Sequence, residues 1–266
     1  MTNEDQTGQL SWIATHRAPA ILTTILPFLL LGLLEMMPGT YLPPLLYFVA
    51  AGIWALVVTP FVLGLPHGRK PYREFLRDIR LLPVQPIPRN VLIGLIAAAL
   101  TLGGILIATI LTKHFVLDWS LVPALRWVKG LTRGIWEEVF FRGIILAVLI
   151  RLYSLKRAVL WSCFIFAIVH LNAMNLTAEH LVDIVSIFFM GLTFTYIVLK
   201  TGSLLPAIIF HYVHDIFVYL VQNAPGADPI QASVLLYAFL WAALAVGALL
   251  TKLIVERWPG PEGELA

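Results

Sequence analysis

The chain has 266 residues, of which 59% are hydrophobic and only 12% charged. A soluble domain is about 45–50% apolar and about 25% charged, so a water-soluble class is excluded, and the lengths of the apolar runs point to a bilayer. The formal net charge of +3 does not indicate a nucleic-acid partner, because the basic residues sit in short loops between apolar runs.

The first segment, 1–17, is polar and carries Glu4 and Asp5. A secretory signal has a basic start and small residues after its apolar core. Here Ala18 and Ala20 precede the core, so the run 18–36 is expected to be a retained span. Further apolar runs follow at 42–64, 91–112, 124–150, 157–172, 182–199, 204–222 and 231–254. They predict an all-α, polytopic integral membrane protein, a bundle of about eight transmembrane helices over 18–255. The run at 157–172 is short enough to tilt or to end inside the protein. Residues 256–266 read as a solvated tail, and no internal repeat or second domain is visible. Cys163 is the only cysteine, which excludes an intrachain disulfide and a cysteine-based zinc site.

The longest connector, between the second and third runs, holds Arg69, Lys70, Arg73, Arg77, Arg80 and Arg89. Phe75, Ile79 and Leu82 recur in it at helical spacing, a pattern that fits either a short helix in the headgroup region or a plain positive-inside loop. With Arg17, Arg151, Lys156, Arg157, Lys200, Lys252 and Arg257 these residues share one side of the predicted topology. Only Lys113, Arg126, Lys129 and Arg133 fall on the other, so both termini are predicted cytoplasmic. Asp183, Glu35 and the end at Lys200-Thr201-Gly202 read as interfacial. Trp54, Trp119, Trp127 and Trp161 fit interface belts, whereas Trp136 stands beside buried acids as a candidate pocket wall.

Those acids lie in WEEVFFRG, residues 136–143. A charge at mid-helix costs about 2.5–3.5 kcal/mol on insertion scales, so Glu137, Glu138 and Arg142 need partners. Glu138 and Arg142 stand four apart, in the favourable acid-then-base order, and are expected to neutralise each other as structural support. Glu137 is turned about 100° away and has no such partner in its own helix. Further ionisable groups lie on other apolar runs: His170, four after Phe166 in FAIVH, and His211, His214 and Asp215 in HYVHD. A single buried histidine is commonly a packing residue, and a His and Asp four apart are commonly an intrahelical hydrogen bond. Glu137, His170, His211 and Asp215 from three helices are together expected to line one polar intramembrane cavity, since intramembrane ionisable groups mark functional sites.

EEVFFR at 137–142, FAIVH at 166–170 and HYVHD at 211–215 resemble the three motifs of the CPBP (ABI) family of CAAX proteases and bacteriocin-processing enzymes, EExxxR, FxxxH and HxxxN or HxxxD. The likeness covers residues 91–222. It implies an intramembrane endopeptidase of the glutamate type, CAAX prenyl endopeptidase-like, without a metal. Glu137 would activate water with help from His170, and His211 with residue 215 would stabilise the oxyanion. Phe166 and His214 would be accessory. An ionised Asp215 has no proton to donate, so the favoured role is to orient His211, with a protonated Asp215 as the other. The implied partners are membrane lipids and a peptide or lipidated protein substrate, either a prenylated CAAX-type tail or an exported peptide. The positive-inside count sets Glu137 in the outer half of its helix, which suits an exported peptide.

Two alternatives remain open at this point. One is a zinc-dependent metallopeptidase with His170, His211 and Asp215 or His214 as ligands, an ordinary catalytic zinc set although no HExxH is present. The other is a non-catalytic membrane protein of immunity or scaffold type. A transporter would be expected to show inverted repeats, and none is seen.

Overall fold

The computed structural model describes residues 21–22, 24–26, 30, 43–64, 68–82, 86–121, 124–171 and 177–257. The polar tail 1–17, most of the run 18–36 and Glu35 lie outside them, as does the end of the tail from residue 258. Helix α1 (Pro44–Ile53) continues through a π-helical segment (Trp54–Val58) into α2 (Thr59–Val62). Then follow α3 (Arg69–Asp78), α4 (Ile87–Thr112), strand β1 (Phe115–Leu117) and α5 (Ala124–Glu138). A second π-helical segment (Val139–Ile145) joins α5 to α6 (Leu146–Leu152). The chain ends with α7 (Leu155–Ile168), α8 (Ala178–Thr201), α9 (Leu205–Leu220), strand β2 (Val221–Asn223) and α10 (Pro229–Arg257).

The helical class predicted from the runs holds, and the chain is an integral membrane protein. The expected count of about eight spans is not reached among the described residues, which omit most of the first run. Among the described residues four helical stretches are long and apolar enough to cross a bilayer: Leu45–Val62, Ile87–Thr112, His180–Thr201 and Val234–Arg257. The run at 124–150 carries Glu137, Glu138 and Arg142, while α7 and the apolar Leu205–Val218 of α9 are too short for a full crossing. The sequence also gave no hint of the antiparallel ribbon β1–β2, paired as Phe115↔Asn223 and Leu117↔Val221. Asp118 N–H donates to Leu220 O at 2.8 Å and Ala224 N–H to His114 O at 2.8 Å, extending the ribbon at each end. Gly202 closes α8 at φ 64°, where the Lys200-Thr201-Gly202 pattern had placed a helix end.

The chain divides into two compact units, residues 1–82 with 136–162, and residues 83–135 with 163–266. In the first unit the two π segments pack on each other, and Leu63 and Val148 form a small cluster with Leu152. Helix α3 turns Phe75 (4% exposed) and Ile79 (1%) into the protein, and Leu82 remains exposed. The apolar face that the spacing offered to lipid headgroups is thus covered by protein. Asp78, at the end of α3, is ion-paired with Arg151 at the end of α6.

In the second unit the long helices meet through small residues. A Cβ on Gly104 would lie 2.3 Å from the Ala243 Cβ, and one on Gly247 would lie 2.6 Å from the Thr101 hydroxyl. These contacts set α4 and α10 antiparallel at close range, the usual solution where lipid supplies no hydrophobic drive between helices. Helices α8 and α10 are joined differently, by polar groups. Tyr237 Oη donates to Asp183 Oδ1 at 2.7 Å and Trp241 Nε1 to Ser186 Oγ at 2.7 Å, so the two helices run parallel. Asp183, read from sequence as interfacial, is therefore a helix-to-helix acceptor.

Gly104→Ala is expected to force α4 from α10 and cost about 1–3 kcal/mol, as overpacking generally does. Gly103, one residue earlier, has nothing within 4 Å of an added Cβ, and Gly103→Ala should melt at or above the wild-type temperature. Thermal unfolding in detergent checks both.

Candidate active site

Every residue from Trp136 to Leu149 is buried, so this stretch is covered on all sides and not along one stripe. Within it Glu138 Oε1 accepts a hydrogen bond from Arg142 Nη1 at 2.9 Å, and the two side chains are 0% and 1% exposed. The pairing is the one that the four-residue spacing predicts. Arg142 is the largest fully buried side chain among the described residues. The backbone changes register at this point, because Glu138 ends α5 and the π segment begins at Val139. Single π turns inside α-helices occur frequently at functional sites. Ser162 Oγ, from α7, donates to Phe141 O at 2.9 Å and so supplies a partner to a carbonyl of this segment.

Glu137 is buried, at 7% exposed. It has an interaction of its own, so it is not the isolated acid that helical spacing implied. Trp136 packs on Phe48 with ring centroids 5.2 Å apart, and its six-membered ring lies against Gly52, where a Cβ would approach to 3.0 Å. At 5% exposed, Trp136 is buried in the protein.

The imidazoles belong to the second unit. His170 stands in the turn just past α7, not within a span, and its Nδ1 lies 2.7 Å from Phe166 O. A carbonyl only accepts, so Nδ1 carries the proton and Nε2 is the acceptor of the neutral ring. The FxxxH spacing thereby gains a physical account: the histidine satisfies one of the last carbonyls of a helix, which have no intrahelical partner. The Phe166 ring meets His170 edge-on at 4.8 Å and His211 edge-on at 6.1 Å.

His211, on α9, is 5% exposed and stacks on Phe194 of α8, with centroids 5.1 Å apart and planes at 24°. Phe194 is fully buried and braced edge-on by Phe210 at 4.9 Å. Sequence reasoning missed Phe194. No spacing rule relates it to His211, because the two lie on different helices and only packing brings them together. Asp215 Oδ1 lies 3.6 Å from His211 Nε2 and 3.5 Å from His214 Nδ1. Both distances are longer than a well-formed hydrogen bond. The nitrogen of His211 on the Asp215 side is Nε2, and the Asp215 side chain is 26% exposed. Among the described residues no group of three or more His, Cys, Asp or Glu is disposed to hold a metal ion.

Arg142→Met should leave the Glu138 carboxylate buried and uncompensated, at a cost of about 3–5 kcal/mol. Adding Glu138→Gln to it should recover most of that loss. Denaturant or thermal unfolding of the two single variants and the double variant measures the coupling.

No curated protein matches the chain. Residues 119–217 match the family described as Type II CAAX prenyl endopeptidase Rce1-like, a segment that contains all three motifs. This part of the chain is thus similar to CAAX proteases, the family that the CPBP resemblance points to, and the match lies beside apolar stretches long enough to cross a bilayer.

Proposed function

We propose that the protein is a glutamate-dependent intramembrane endopeptidase acting on a membrane-associated peptide, either a prenylated CAAX-type tail or an exported peptide. The observation that carries this reading is the family match over 119–217, a segment that holds the buried Glu137 beside the Glu138–Arg142 pair. In general a carboxylate works as a base near neutral pH when burial raises its proton affinity.

In the proposed reaction Glu137 takes a proton from water, and the hydroxide attacks the scissile carbonyl. His170, with Nδ1 held by a carbonyl, assists through Nε2. The C–N bond of the tetrahedral intermediate then breaks, and the proton passes from Glu137 to the departing amine. His211, stacked on Phe194 and oriented by Asp215, stabilises the oxyanion, with His214 as the second imidazole on Asp215. No metal is invoked. Both termini are assigned to the cytoplasm on the asymmetry of Lys and Arg between loops.

Cleavage of a mixed library of prenylated and unmodified apolar peptides by purified protein tests the mechanism. Glu137→Gln should reduce turnover by about 10²–10⁴, the usual contribution of a general base. His211→Ala should cost about 10²–10³, as removal of an oxyanion contact does. A chelator should change nothing. Wild-type turnover by Glu137→Gln would overturn the assignment, and loss on chelation would move His170, His211 and Asp215 to metal ligands. A reporter placed after Lys200 should read cytoplasmic, and an external reading would reverse the topology.

A further inference from the structure

Helix α3 presents Arg69, Lys70, Arg73 and Arg77 to solvent, all four exposed. At about 100° per residue they fall within roughly 100° of arc, opposite the buried Phe75 and Ile79. The two acids of the helix, Glu74 and Asp78, lie at one flank of this stripe. Asp78 is drawn to Arg151, so it does not neutralise the stripe. Chain length places the stripe close to the bilayer. Only residues 63–68 separate α3 from the end of the preceding span at Val62, a reach of at most about 20 Å fully extended. Residues 79–86 connect it to the next span, which begins at Ile87.

We propose that this face of α3 is a binding surface for anionic phospholipid headgroups. Because Phe75 and Ile79 are packed against protein, α3 cannot hold the membrane by inserting an apolar face. What it offers is positive charge joined by short connectors to two apolar stretches long enough to cross a bilayer. Basic residues near an anionic surface each contribute about 1 kcal/mol, which is about fivefold in partitioning, and the effect falls off within a Debye length. The proposal goes beyond the peptidase reading and does not rest on it.

Native mass spectrometry of the full-length protein in detergent, titrated with phosphatidylglycerol or phosphatidylcholine, tests it. Wild type should retain phosphatidylglycerol in preference. The Arg69→Gln/Arg73→Gln/Arg77→Gln variant should lose on the order of tenfold to hundredfold of that preference. Lys156→Gln/Arg157→Gln, exposed bases elsewhere, should keep it. Should the triple variant fail to fold, added salt should erase the preference in the wild type. Inorganic phosphate at equal concentration should leave the retained lipid in place. Equal retention of the two lipids by wild type, an unchanged triple variant, an equal loss in the control pair, insensitivity to salt, or displacement by phosphate would each overturn the proposal.

Discussion

The buried pair Glu138–Arg142 is the constraint on which the first unit is organised. Each charge alone at mid-helix would cost about 2.5–3.5 kcal/mol, a large share of the roughly 5–15 kcal/mol by which a folded domain survives. One hydrogen bond at 2.9 Å lets both remain inside an apolar helix. The rest of that helix follows from protecting the pair. Residues on all sides of it are buried, the backbone widens into a π segment directly after Glu138, and Ser162 reaches in from α7 to a carbonyl of that segment.

The second unit uses a different means of placing its polar groups. His170 is fixed by a helix-end carbonyl, and His211 by aromatic contact with Phe194 and Phe166. Aromatic rings suit this purpose in an apolar bundle, since they orient an imidazole without needing a polar partner of their own. The surrounding helices are held to matching precision by glycine contacts between α4 and α10 and by side-chain hydrogen bonds between α8 and α10. Small residues and polar glue are the two ways in which helices associate where water is absent.

Helix α3 shows how far periodicity reaches. The spacing of Phe75 and Ile79 states that the helix has an apolar face and that the arginines lie away from it. It does not state whether lipid or protein covers that face, because both are equally apolar. Burial of the two side chains resolves the matter in favour of protein, and the basic stripe is then what the helix has left to present.

The sequence by itself determined the membrane class, the helical fold, the Glu138–Arg142 pairing and the three motifs that the family match contains. These rest on local rules: run length against bilayer thickness, four-residue spacing along a helix, and the cost of an unpaired charge. Tertiary structure decided what depends on neighbours distant in the chain. It buried Trp136 against Phe48, made Asp183 an acceptor between helices, and placed His170 in the turn that caps α7. It also supplied Phe194 as the shelf for His211. Two faces of similar polarity look alike along the sequence, and only packing distinguishes a lipid neighbour from a protein one.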